Sequence, residues 1–230
     1  MTKYLVLDTE TTNSLDDPIA YDIGWAVIDE NGEVYETASY VVADVFLDKE
    51  LMESAYFADK IPQYWEDIEN GTREIKSIYK IRKEVKDLMN KYNVKKVGAY
   101  NMGFDKRSLN NVMRYTTKSF CRWFFPFGTE FFCIWHLATQ TLLQQKTFFK
   151  MAEKNDWFSE KGNLLTNAEV TYNYINKMSD FKESHTGLED VRIEIEIMAH
   201  CFRQHKKMNT NINTSCWRLV QKAYKEYKVA

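Results

Sequence analysis

Three short stretches of the chain carry side chains that could do chemistry. They are Asp8-Thr9-Glu10-Thr11-Thr12, Asn101-Met102-Gly103-Phe104-Asp105 and His185-Thr186-Gly187-Leu188-Glu189-Asp190. The first sets two carboxylates two residues apart after an apolar run, Tyr4 to Leu7. On a strand, side chains two apart share a face, so Asp8 and Glu10 present their oxygens together. Like charges held side by side repel unless a cation lies between them. Hard oxygen ligands of this kind suit Mg²⁺ or Mn²⁺. Asp105 falls between a strand ending at Tyr100 and the helix that follows, again at a C-terminal strand edge. Asp190 falls in the first turns of a helix, with His185 in the loop before it. A histidine beside acids titrates near neutral pH and can serve as a general base.

Alone, the first and third stretches are better explained by local structure, a polar strand end and a capped helix start, and the second, an aspartate that could complement a helix dipole, is at best even between the two readings. Their combination changes that balance. Open α/β sheets gather ligands at the C-terminal edges of their strands, where one sheet can bring all three acidic sites together. Several carboxylates around cations about 3.5–4 Å apart, with a base for water, are what two-metal phosphoryl chemistry needs.

The elements that must position these groups can be read from hydrophobic periodicity. Tyr4 to Leu7 reads as a central strand buried on both faces. Tyr21 to Asp29 and Glu33 to Val42 read as two more strands, joined through Asn31-Gly32, a strong hairpin signal. Helices are expected near Lys49 to Phe57 and over Glu74 to Tyr92, where Ile75, Ile78, Ile81, Val85, Leu88 and Met89 recur on one face. A strand from Val94 to Tyr100 leads into a helix from Phe104 to Arg114. Glu130 to Ile134 reads as a fifth strand, running into a helix from Trp135 to Leu143. A helical segment follows from Lys146 to Lys177, with a loop at Ser159 to Asn163. Helices from Leu188 to Phe202 and from Thr214 to Lys225 complete the chain. Thr186 with Glu189 makes a capping box for the first of these. The order argues for an α/β fold, a mixed sheet with helices on its faces.

The bulk properties fit this reading. The chain has 230 residues, 44% of them hydrophobic, enough for one sizeable core. Three prolines and eight glycines leave no linker-like stretch. No signal peptide fits before Asp8, and Trp123 to Trp135, interrupted by Pro126, Gly128 and Glu130, will not span a membrane. A cytoplasmic location is the expectation, without a membrane partner. Cys121, Cys133, Cys201 and Cys216 form no CxxC pair, and disulfide staples are not needed at this size. Cys133 with His136, and His200 with Cys201 and His205, match no common zinc spacing. Net charge is only −2, but it is unevenly spread. Residues 8–74 hold 18 acidic against 3 basic residues, 76–96 hold 8 basic against 2 acidic, and 203–230 hold 7 basic against 1 acidic. An acidic region beside basic stretches suits a phosphate backbone held near cations. The cluster Trp123, Phe124, Phe125, Phe127, Phe131, Phe132 and Trp135 is mainly core, with one or two rings free to stack on a base.

These residues resemble the DnaQ-like 3′→5′ exonucleases of the DEDDh type, within the ribonuclease H-like superfamily. The family's DxE matches Asp8 and Glu10. Its Asn-x-x-Phe-Asp matches Asn101, Phe104 and Asp105, and its His-x-x-x-x-Asp matches His185 and Asp190. Asp22-Ile23-Gly24 is similar to the segment that opens the family's second strand. The resemblance covers roughly residues 3–202. It implies a mixed five-stranded sheet with one antiparallel strand, flanked by helices, and Asp8 on the middle strand. It implies two Mg²⁺ or Mn²⁺ ions on Asp8, Glu10, Asp105 and Asp190, with His185 deprotonating water. Thr9 and Thr11 would meet the terminal nucleotide, and Asn101 and Phe104 would support the site. The expected function is release of nucleoside 5′-monophosphates from the 3′ end of single-stranded nucleic acid, DNA favoured. A DNA polymerase is a candidate partner. The alternatives are a catalytically silent nucleic-acid-binding or polymerase-docking module with this fold, and an RNA-specific exoribonuclease. The chain departs from the pattern at Asn13, where the family often has glycine, and at Val191, where it has alanine. One domain over 1–230 is expected, with a helical insertion around 146–180 that does not match the family's common form.

Overall fold

The computed structural model describes residues 1–13, 15–119 and 122–229; Cys121 lies outside them. Six strands form one sheet: β1 (Lys3–Thr12), β2 (Ile19–Asp29), β3 (Val34–Val42), β4 (Glu74–Lys76), β5 (Lys96–Ala99) and β6 (Glu130–Cys133). Their spatial order is β4-β3-β2-β1-β5-β6. Only β2 runs against its neighbours, pairing antiparallel with β1 and β3. The β1–β5, β5–β6 and β3–β4 pairs are parallel. Among the described residues ten α-helices complete the fold: α1 (Ala43–Phe46), α2 (Lys49–Met52), α3 (Ile61–Glu69), α4 (Ile78–Tyr92), α5 (Met102–Thr117), α6 (Ile134–Thr141), α7 (Lys146–Asn155), α8 (Ala168–Asn176), α9 (Gly187–Phe202) and α10 (Trp217–Val229).

Alternation along β1 sends Leu5 and Leu7 into one hydrophobic cluster and Tyr4 and Val6 into another. The first joins the apolar stripe of α4 and the inner face of α5. The second joins α6, α7, α8, α9 and Val220 of α10. With a layer on each side, β2 is buried along its whole length, as strands covered on both faces must be.

The five expected strands and the single antiparallel one are present, but the sheet has a sixth strand. Glu74–Lys76, expected to open the helix that follows, pairs with β3 instead. Ile75 fits a helical stripe and a strand equally well, and the free edge of β3 decides between them. The helix expected over Lys49 to Phe57 stops at Met52, and a 3₁₀ turn follows at Ala58–Lys60. Helix α3, polar on most of its surface, was not anticipated. The hydroxyl expected to cap α9 does something different. Thr186 Oγ1 donates to Glu189 Oε2 at 2.6 Å rather than accepting from the helix backbone. Cys133, Cys201 and Cys216 are free and buried. Among the described residues no helix is long and apolar enough to cross a membrane.

Candidate active site

Strand β1 pairs with β5 only over Tyr4 to Val6, then runs on beside β2 to Thr12. Asp8 and Glu10 therefore lie beyond the end of the parallel pairing, opposite Gly24 and Asp22. The β1–β2 register shifts between Glu10 and Thr11, an irregularity that re-aims side chains at a strand end. Asn13 follows at φ 68°, a left-handed conformation that asparagine tolerates better than most residues. That is why it can stand in a glycine's place.

Thr9 points to the opposite face from Asp8 and Glu10, and there it meets Asp105. Its hydroxyl donates to Asp105 Oδ1 at 2.9 Å and lies 3.0 Å from Ser108 Oγ. Its backbone N–H also serves the Asp105 carboxylate. The Thr9 hydroxyl is thus engaged within the protein, where it orients an acid. Asp105 itself is 3% exposed in the first turn of α5. That helix opens at Asn101, whose carbonyl accepts from Phe104 N at 2.7 Å.

The third motif reaches the site through a backbone crossing. Helix α9 starts at Gly187 directly against Gly24 of β2, so closely that neither position has room for a Cβ. Asp22 Oδ2 accepts from Gly187 N at 2.9 Å and so caps α9 from another strand. A buried carboxylate needs partners, and Asp22 has them. Tyr64 donates to it at 2.8 Å, and Arg73 Nη1 reaches both its oxygens at 3.1 and 3.0 Å. Arg73 extends the network to Ser39, Asp67 and Glu189. No motif in the sequence pointed to Arg73.

This crossing sets Asp190 and His185 beside Glu10. Among the described residues these three form the one group of three or more potential metal-ligating side chains with ligand atoms within 4.8 Å of one another. His185 sits at φ 53°, its ring stacked on Phe57 at 4.2 Å between centroids and 12° between planes. The His185 backbone N–H and the Ser184 hydroxyl both donate to Asp190.

All nine residues singled out by the sequence border one cavity of about 660 Å³. Its wall also holds Trp135, from the aromatic cluster, together with Tyr56, Phe57, Glu183 and Glu194, which sequence reasoning missed. Glu194 carried a readable signal, four residues after Asp190 on the same helix face; Phe57 carried none. Burial pushes the acids up. Burial first, then Asp105 and Glu194, holds Asp8 well above the usual carboxylate range. Burial and the Asp190 charge push Glu10 up to about 9. Burial raises Asp105 to about 7 despite its bonds from Thr9, and raises Asp190 and Glu183 to about 7 as well. His185 moves the other way, lowered by burial and then by nearby Lys60. Crowded carboxylates that resist ionisation form a donor set for a hard divalent cation, so the residues present fit Mg²⁺ or Mn²⁺.

The weaker motifs resolve as structure. His136 Nδ1 pairs with Asn211 O at 2.8 Å, and Cys133 Sγ contacts Tyr100 O at 3.3 Å. Phe124, Phe125 and Phe132 are buried, whereas Trp123 and Phe127 are exposed. Three lysines of the basic stretch over 76–96 are ion-paired: Lys76 of β4 with Glu84, and Lys83 and Lys91 of α4 with Asp87 and Glu36.

No family model matches the chain, and no curated protein matches it by sequence. Solved structures do match. E. coli exonuclease I in complex with a dT13 oligonucleotide superposes with a TM-score of 0.53 at 13% identity, over 87% of this chain and 41% of that one. The zinc-bound E. coli exonuclease I–single-stranded DNA complex gives 0.52 at 12% identity, over 86% and 39%. Exonuclease I from Methylocaldum szegediense gives 0.51 at 13%, over 90% and 41%. At such identity the likeness is one of fold: mixed α/β, ribonuclease H-like and similar to exonuclease I. The chain spans about two fifths of the length of these proteins.

Proposed function

We propose that the chain is a metal-dependent 3′→5′ exonuclease of the DEDDh type. It would hydrolyse single-stranded nucleic acid, DNA in preference to RNA, to nucleoside 5′-monophosphates. The observation that carries this reading is convergence. Asp8, Glu10, Asp105, His185 and Asp190, drawn from three separate motifs, border one cavity at the C-terminal end of β1 and β5. The fold shared with exonuclease I, solved with single-stranded DNA oligonucleotides, supports the substrate class.

In this reading Asp8, Glu10, Asp105 and Asp190 hold two Mg²⁺ or Mn²⁺ ions. When bound, such ions lower the pKa of attacking water and stabilise the leaving 3′-oxygen. His185 takes the proton from that water. Its lowered pKa keeps the imidazole neutral and able to accept at physiological pH. Phe57 fixes the ring's plane by stacking on it. Thr9 and Ser108 orient Asp105. Phe104, Tyr56 and Trp135 offer the terminal base an apolar wall, while Thr11 and Asn101 border the same space.

The test is digestion of end-labelled single-stranded DNA and RNA with Mg²⁺, Mn²⁺ and chelator. Mononucleotides should appear with either metal, vanish with chelator and vanish for Asp8→Ala. Undiminished release from Asp8→Ala refutes the reading. Tight strand binding without turnover in either metal would favour a silent binding module.

A further inference from the structure

Glu194 is a buried acid with one oxygen left unpaired. It is 3% exposed, and it lies one helical turn beyond Asp190, so both side chains leave the same face of α9. Its Oε1 accepts from Tyr100 N at 2.8 Å, at the C-terminal end of β5 just before Asn101. Its Oε2 is buried and has no partner. No lysine or arginine pairs with it among the described residues. Leaving a buried carboxylate oxygen without water or a donor forfeits its solvation with nothing in return, and the loss is greatest when the group is charged. Oε1 alone accounts for the tie between α9 and β5, and a neutral side chain could make that tie. The tie therefore leaves the second oxygen and the charge unexplained.

Position supplies the explanation. Glu194 borders the same cavity as Asp8 and Asp105. Its charge acts on Asp8 more strongly than Glu10 or Asp190 do. An additional buried negative charge beside two like charges is stable where a cation joins them. The close group of ligand atoms among the described residues takes in Glu10, His185 and Asp190 and leaves Asp8, Asp105 and Glu194 out. Glu194 is tied to Asp8 and Asp105 by the cavity they share and by the charge it places on them.

Resting on the metal-centre reading above, we propose that Glu194 is a fifth carboxylate of the centre, its free Oε2 supplying charge to the divalent ion held by Asp8 and Asp105 and setting that ion's affinity. None of the three sequence motifs contains it.

The test is titration of Mn²⁺ alone into the full chain, without nucleic acid, for wild type, Glu194→Gln and Asp8→Asn. Glutamine keeps length, shape and the acceptor for Tyr100 N, removes the charge and puts an NH₂ in place of the unpaired oxygen. The expected result is an apparent Kd for Mn²⁺ raised about 10- to 100-fold in Glu194→Gln, the usual effect of losing a group that supports a metal's ligands. Melting temperatures provide a second readout. Without metal, Glu194→Gln should melt at or above wild type; with saturating Mn²⁺ the order should reverse. Wild-type Mn²⁺ affinity in Glu194→Gln, with Asp8→Asn impaired, overturns the proposal and leaves Glu194 as a structural tie. If Glu194→Gln does not fold, Glu194→Met serves in its place and is read by its Mn²⁺ affinity alone, because it also removes the acceptor for Tyr100 N: a weakened affinity supports the proposal and a wild-type affinity overturns it. Weak Mn²⁺ binding by the variant together with no strand hydrolysis by wild type supports the proposal while refuting the exonuclease reading.

Discussion

The crossing of Gly24 and Gly187 makes a quantitative prediction. A Cβ added at Gly24 would lie 2.1 Å from Gly187 C, 2.2 Å from Leu188 N and 2.4 Å from Gly187 O. All three are backbone atoms, so no rotamer change relieves the clash. Ordinary contact begins at 3.4 Å, and the start of α9 must therefore retreat by about 1.3 Å, the difference from 2.1 Å. The Gly187 N to Asp22 bond, 2.9 Å long, does not survive that retreat. Losing a hydrogen bond to a charged acceptor costs about 1.5–3 kcal/mol, and overpacking a core costs about 1–3 kcal/mol. Gly24→Ala should thus lose roughly 3–5 kcal/mol of the 5–15 typical of a domain. Because α9 carries Asp190, the variant should also lose about 100-fold or more in rate, as a misplacement of about 1 Å does at a reacting centre. Urea denaturation measures the first effect and mononucleotide release with Mn²⁺ the second. Gly103→Ala is the control: its Cβ would meet only side-chain methyl groups of Ile212 at 3.2 Å and Thr214 at 3.5 Å, and it should stay close to wild type. Wild-type stability and rate in Gly24→Ala would refute the reasoning that this crossing places Asp190.

Three further outcomes follow from the site. His185→Ala should slow hydrolysis by about two to four powers of ten if His185 is the base; an unchanged rate removes it from that role. Phe57→Ala should lower kcat about two- to tenfold with little change in KM, matching the roughly 0.5–1.5 kcal/mol of an aromatic pair. A pure KM effect would place Phe57 on the substrate instead. The metal-free protein should become less stable as pH rises. Unfolded, the acids release protons near 3.8–4.5; folded, Asp105 and Asp190 hold theirs to about 7 and Glu10 to about 9. Across that window the folded state binds more protons, so stability falls from pH 4 toward pH 9. Melting scans without metal should show the decline, and saturating Mn²⁺ should flatten it. A rising curve in chelator would contradict the electrostatics of the cavity.

The chemistry available was already legible in the order of residues along the chain. The period of two along a strand puts Asp8 and Glu10 on one face whatever surrounds them. The alternation of strands and helices was legible too, because hydrophobic periodicity is a local signal. The tertiary structure decided how those parts act. Whether Glu74–Lys76 joins a helix or a sheet depends on the free edge of β3. Whether Thr9 faces a ligand or Asp105 depends on where α5 lands, 96 residues away. The Asp22 cap on α9 spans 165 residues and stands only because Arg73 and Tyr64 share the burial. The stacking of Phe57 on His185 requires the helix expected there to end early, at Met52. Glu194 reads from sequence as one more acid on a helix. Its meaning comes from being sealed against Tyr100 with one oxygen unmatched. Local propensity selects elements within a few residues, whereas these contacts depend on packing that no single stretch of chain encodes.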